Sequence, residues 1–98
     1  MKTDVHALAD EVSDEASFLR FVAALAADWQ AERDIEAVKG SSPYAAGALG
    51  WENGTIGEYL AAAADWGEAS VHGLKFYEKP ANAWRRAAHI LLAGKFYE

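Results

Sequence analysis

The run Gly50-Trp51-Glu52-Asn53-Gly54-Thr55-Ile56-Gly57-Glu58-Tyr59-Leu60 constrains this chain more than any other stretch, because it sets a turn, a helix start and an aromatic anchor in succession. Asn53-Gly54 is a strong turn dipeptide, since both residues tolerate positive φ. Thr55 followed three residues later by Glu58 has capping-box spacing, in which the hydroxyl accepts the Glu58 amide and the carboxylate reaches back to the Thr55 amide. The spacing predicts a helix beginning at Ile56, and it places Trp51 where an indole can pin the turn to a core.

Three further helices follow from the same kind of reading. Val5, Leu8 and Val12 recur at spacings of three and four, which predicts a short amphipathic helix over 3–11 with Thr3 or Asp4 as its cap. Ser13, followed by Asp14 and Glu15, is expected to cap a second helix that runs to Val38, with Lys39-Gly40 as its stop. Its apolar stripe is Phe18, Phe21, Val22, Leu25 and Trp29, and the opposite side, including Asp28, Glu32, Asp34 and Glu36, reads as exposed to water. The third helix, from Ile56 to about Trp66, carries the alanine run Ala61 to Ala64 that lets a neighbour approach closely, and Gly67 is its expected end. Asn82 caps a fourth helix through Ala93, with Trp84, Ala87, Ala88 and Leu91 inward and Gly94 as the stop.

Two connections are less regular. Gly40 to Gly54 shows no sustained periodicity, and a loop of that length in a compact domain is usually functional or disordered. Tyr44, Leu49 and Trp51 argue for an ordered loop packed on the domain. Residues 68–81 read as an extended segment or as irregular turns. The chain ends on Lys95-Phe96-Tyr97-Glu98, identical to Lys75-Phe76-Tyr77-Glu78 twenty residues earlier. The flanks do not match, so two aromatic segments beside one helix explain the pattern better than a duplication.

Size and charge narrow the functional classes. Chains divide into separate cores only at roughly 250 residues or more, so 98 residues make one domain. Alanine supplies much of the apolar content, so burial rests on Trp29, Trp51, Trp66 and Trp84 with the phenylalanines and tyrosines, each able to bury about 150–250 Å². The absence of cysteine excludes disulfides, thiol catalysis, iron–sulfur ligation and cysteine-based zinc sites. No apolar run approaches the ~20 residues of a membrane span, and Met1-Lys2-Thr3-Asp4 lacks a signal-peptide profile. A cytoplasmic protein is expected. The net charge of −6 is uneven: residues 1–38 hold nine acids against three bases, and residues 68–98 hold three acids against five bases. Such a chain is a poor binder of DNA or RNA, whereas its first half suits a basic protein partner.

Taken together, Ser41-Ser42-Pro43-Tyr44, Gly50-Trp51-Glu52-Asn53-Gly54-Thr55-Ile56 with Tyr59-Leu60, Trp66, Asn82-Ala83-Trp84-Arg85 through Ile90-Leu91, Ala93-Gly94-Lys95 and Tyr97-Glu98 give the chain a recognisable signature. From Phe18 onward it resembles a family of small, uncharacterised bacterial proteins, a domain of unknown function. The resemblance implies no activity and no catalytic residue. Where the family pattern has Asn-Pro-Trp, this chain has Asn82-Ala83-Trp84, which keeps the cap and removes the fixed φ of proline at the first helical position.

No catalytic constellation stands out. His6, His72 and His89 lack the His-x-x-x-His spacing of a helical metal site, and His89 reads as a half-buried side chain with a backbone or carboxylate partner. Ser13 and Thr55 are accounted for as caps. There is no Gly-x-Ser-x-Gly elbow and no phosphate loop. Glu52 and Glu58 read as turn and cap residues, not as an acid–base pair. Arg85 and Arg86 beside Trp84 form a basic–aromatic cluster, better explained by an ion pair to an Asp or Glu than by base stacking.

The expectation is therefore an all-α bundle of about four helices, with helices two, three and four packed around Trp29, Trp66 and Trp84 and the long loop folded over one end. Its expected role is a non-enzymatic interaction or regulatory protein, without cofactor or metal, whose acidic second helix (Asp28, Glu32) and aromatic loop (Tyr44, Trp51) meet a basic partner. As a monomer or a homodimer it could do so. The rival reading is a small-molecule or enzymatic site under the 40–54 loop, using Glu52, Asn53, His72 or His89. Arg85 completes the set of candidate residues.

Overall fold

The computed structural model describes residues 4–39 and 49–98. Four helices account for most of them: α1 (Val5–Glu11), α2 (Glu15–Lys39), α3 (Ile56–Ala69) and α4 (Ala83–Phe96). The all-α bundle expected from periodicity is the one observed. Among the described residues the nearest approach to a strand is a single bridge between Leu74 and Tyr77 in the α3–α4 connection, closed by the Tyr77 amide donating to the Leu74 carbonyl at 3.0 Å.

Helix starts follow local chemistry. The Asp4 carboxylate accepts the amides of His6 and Ala7 at the head of α1, and Asn82 Oδ1 accepts the Arg85 amide at the head of α4. Thr55 Oγ1 accepts the Glu58 amide at 3.1 Å, but Glu58 is exposed and makes no return bond, so only half of the capping box forms. The cap of α2 is Asp14, not Ser13. Its carboxylate accepts both the amide and the hydroxyl of Ser17, at 2.8 and 2.7 Å, while the Ser17 hydroxyl oxygen accepts the amides of Ser13 and Asp14. This reciprocal pair satisfies more of the orphan donors at the helix start than a Ser13 cap would.

Helix ends depart from the expected glycine stops. Helix α3 continues through Gly67 to Ala69, and α4 continues through Gly94 to Phe96. Both glycines are helical because another element lies against them. Gly67 faces the Ile90 side chain, and a Cβ at Gly94 would fall 2.6 Å from Cε1 of Tyr59. Together with buried Ala62 and Ala63, these positions let α3 lie close along α4. The small residues thus serve packing, with Ser70 and Tyr97 ending the helices instead.

Helix α4 is the hub, contacting each of the other three helices. No Cα of α2 comes within 8 Å of a Cα of α3. The central cluster is Val5, Ala9, Val12, Phe21, Leu25, Trp51, Ala88 and Leu92, flanked by Phe18, Trp29, Tyr59 and Leu91. Full burial of a side chain such as Phe21 contributes about 1.5–3 kcal/mol. Trp51, at 7 % exposure, is the one tryptophan in this cluster. Trp29 only flanks it, Trp84 is 41 % exposed and meets Phe18 at a tilt, and Trp66 sits apart beside Tyr77. The expectation that Trp29, Trp66 and Trp84 share one interior is thereby corrected: the buried cluster is filled by alanines, aliphatic side chains, Phe21 and Trp51.

Candidate functional site

The residues ahead of α3 are tied down from two directions. Backbone amides of Glu52 and Asn53 donate to the Lys95 carbonyl at 2.9 and 3.4 Å, and Asn53 Nδ2 donates to the carbonyls of Gly94 and Tyr97 at 3.0 Å each. These bonds satisfy carbonyls that the end of α4 leaves without helical partners. From the other side, Glu32 Oε1 accepts the amides of Leu49 and Trp51 at 2.9 and 3.2 Å, while its Oε2 pairs with Arg33 at 2.8 Å. Asp28 Oδ2 accepts the Trp51 indole N–H at 2.9 Å and the Lys95 ammonium at 2.7 Å.

This network changes the meaning of two acids. Asp28 and Glu32 do not lie on a water-exposed face; Glu32 is 0 % exposed, and in the Asp28–Lys95 pair the lysine is buried and the Asp28 side chain keeps only 10 % exposure. The physical reason is that Leu49 and Trp51 bring unpaired backbone amides to α2, and buried amides need acceptors. Lys95 also holds its ammonium 5.7 Å from the Trp51 ring. Trp51, Asn53, Asp28 and Glu32 are therefore brought together as a brace for the loop end.

Beside the brace an apolar cleft of about 400 Å³ opens between α2 and the start of α3. Val22, Leu25, Ala26 and Trp29 line it from α2, and Trp51, Ile56 and Tyr59 from the segment that opens α3. The Tyr59 hydroxyl donates to the Leu91 carbonyl at 2.7 Å, so its ring is fixed as the cleft floor, and burial raises the Tyr59 pKa above the usual tyrosine value. Ile56 is 74 % exposed, and Leu19 and Leu60, each a turn further along its helix, are exposed too.

The remaining candidates lie elsewhere. Glu52 is exposed, and its pKa is raised by desolvation and then by the neighbouring Glu98 carboxylate. Arg85 and Arg86 bind carbonyls instead of carboxylates: Arg85 Nε donates to the Val12 carbonyl at 3.0 Å, and Arg86 donates to the Gly67 carbonyl and the Ser70 hydroxyl. His89 has the carboxylate partner its setting implied, Asp10 at 2.9 Å. Its other nitrogen meets the Tyr77 hydroxyl at 2.8 Å, a contact the sequence reading missed because the three groups come from α1, α4 and the connection between α3 and α4. His72 is exposed and takes no part. Tyr44 and most of the 40–54 loop lie outside the described residues. Among the described residues no group of three or more metal-ligating side chains converges, and no helix is long and apolar enough to cross a membrane.

Fold and site together define a small all-α domain whose Trp-Glu-Asn-Gly-Thr segment is braced between two helices beside an apolar cleft. Residues 14–98 match the Family of unknown function (DUF7660), and the chain belongs to that family. Comparison with curated proteins and with solved structures finds no match for it.

Proposed function

We propose that the protein is a non-enzymatic interaction module, and that the cleft between α2 and α3 receives the apolar face of a basic, amphipathic segment of a cytoplasmic protein partner. The observation that carries this reading is the cleft itself: two helices whose backbones stay more than 8 Å apart leave about 400 Å³ lined almost wholly by apolar side chains, beside a braced Trp51. A helix-in-groove complex needs that kind of trough, read by apolar anchors at helical spacing. The sign of the partner comes from charge. Helix α3 carries Glu58, Asp65 and Glu68 and no base, and the chain as a whole is at −6, so a cationic segment is drawn in faster than a neutral one.

The test uses a synthetic amphipathic helix of leucine and lysine, titrated into the protein and followed by Trp29 and Trp51 resonances. Saturable binding that is abolished by Ile56→Glu and weakened severalfold by Asp65→Lys with Glu68→Lys at low salt supports the proposal. These positions are exposed, so the fold survives the changes. Equal binding of a leucine–glutamate helix would remove the charge argument. Saturation of the cleft by an uncharged apolar compound, with no response to either helix, would transfer the site to small-molecule recognition.

A further inference from the structure

A second cavity, of about 310 Å³, lies between the end of α1, the connection around Phe76 and the last turns of α4. It shares no lining residue with the cleft between α2 and α3. Four aromatic rings border it, Trp66, Phe76, Tyr77 and Phe96, together with the carboxylates of Asp10 and Glu78. Phe76 is 92 % exposed, an arrangement that buries no area within the fold and leaves the ring available to a ligand. Trp66 and Tyr77 meet edge to face at 4.9 Å.

The formally anionic side chains that line this cavity are Asp10 and Glu78. His89, which also lines the cavity, sits with Nε2 2.9 Å from the Asp10 carboxylate and Nδ1 2.8 Å from the Tyr77 hydroxyl. Neither of the two cationic side chains nearest the rings lines the cavity. Arg86 holds its guanidinium 5.4 Å from the Trp66 ring and 5.9 Å from Tyr77, and Lys75 holds its ammonium 5.2 Å from Phe76. The rings of this region already attract cations from within the chain, and the cavity adds two carboxylates: Asp10, which pairs with the lining His89, and Glu78, which is in no ion pair among the described residues.

We infer that this cavity binds an alkylammonium cation, with the aromatic rings meeting the methyl or methylene groups and Asp10 and Glu78 balancing the charge. Aromatic rings draw such cations through their negative faces, and methylated ammonium groups favour them because they shed water easily. The volume sits at the lower end of ligand pockets, which fits a headgroup-sized cation and excludes a large cofactor. The same headgroup arrives either on a free small molecule or on a trimethylated lysine side chain.

The experiment titrates choline chloride into the full chain while following the indole N–H of Trp66 by NMR, with 3,3-dimethylbutanol as the uncharged isostere. Saturable binding of choline, at least about tenfold tighter than the alcohol, is expected. Phe76→Ala and Glu78→Gln, both at exposed positions that leave the fold intact, should each weaken it by about three- to tenfold. A peptide bearing trimethyllysine that binds more tightly than choline identifies a protein-borne headgroup, and the reverse order identifies a free one. Equal affinity for choline and the alcohol, no response at Trp66, or indifference to both substitutions would overturn the assignment.

Discussion

Lys75 and Lys95 each begin the tetrapeptide Lys-Phe-Tyr-Glu, yet the first is exposed beside Phe76 and the second is buried, 2.7 Å from Asp28. The tyrosines diverge as well: the Tyr77 hydroxyl meets His89 across a cavity, whereas Tyr97 ends α4 and gives its carbonyl to Asn53. The difference lies in what each copy must satisfy. Lys95 follows Gly94 on the helix that faces α2, where a buried carboxylate awaits a partner. Lys75 sits in a turn that owes nothing to the core. The first copy therefore lends Phe76, Tyr77 and Glu78 to the open cavity, whereas the second builds the brace through Lys95 and lends that cavity only Phe96.

The widest separation of the two copies should come from removing the lysines. Lys95→Ala leaves Asp28 buried with only the Trp51 indole as donor, and breaking a buried pair costs about 3–5 kcal/mol. Lys75→Ala, at an exposed position, should stay within about 0.5 kcal/mol. Chemical denaturation at neutral pH reads both; equal midpoints for the two variants would refute the contrast. Glu32→Ala probes the same brace from α2, since it strands the amides of Leu49 and Trp51, and a loss of similar size is expected.

A smaller effect belongs to Gly94→Ala. Alanine is the better helix former by about 1 kcal/mol, so the propensity argument predicts stabilisation. The added methyl would meet Tyr59, whose ring is held by its bond to the Leu91 carbonyl, and overpacking of that kind costs about 1–3 kcal/mol. A net loss in thermal midpoint is expected. A gain would show that Tyr59 moves freely and that the cleft floor is not fixed.

That glycine also shows where sequence reading reached its limit. Caps were legible at Thr55 and Asn82, and at the head of α1 as one of Thr3 or Asp4, because a side chain that bonds amides two or three residues ahead is a local event. Gly67 and Gly94 looked like stops by the same local logic, and only the presence of Ile90 and Tyr59 across the helix pair turns them into packing sites. Asp28 and Glu32 looked solvated because they follow a charged stripe. Their partners, Trp51 and Lys95, arrive from 23 and 67 residues away, and nothing in the local pattern records that distance. The indole of Trp51 was correctly placed in the core; those of Trp66 and Trp84 were not, since aromatic content alone does not say which rings share an interior. The Asp10–His89–Tyr77 contact was half legible, as a histidine needing a carboxylate, and its Tyr77 end depended on the path of an irregular connection.

Charge at exposed ends gives the finer contrasts. Hydrogen bonds from the Ser17 amide and then its hydroxyl lower the Asp14 pKa from 3.8. A depressed carboxyl pKa means stability that is present above the unfolded value and is lost as pH falls through the folded one. Asp14→Ala should therefore lower the thermal midpoint at neutral pH and make no difference in strong acid. Loss of the same size at both pH values would mean the cap works through shape and not through charge.

The smallest expected effect distinguishes the brace from the charges around it. Glu52 has its amide anchored to the Lys95 carbonyl, but its exposed carboxyl faces Glu98, and desolvation followed by that like charge raises its pKa from 4.5. For a raised carboxyl the folded state holds the proton more tightly than the unfolded chain. Stability is then greater below the unfolded pKa and declines as pH rises through the folded value. Glu52→Gln removes this decline while leaving the backbone bond in place, so the variant should be slightly more stable than the parent at neutral pH and should converge with it in acid. If Glu52→Gln were instead strongly destabilising at neutral pH, the Glu52 side chain would itself belong to the brace, and the line drawn between anchored backbone and free carboxyl would have to move.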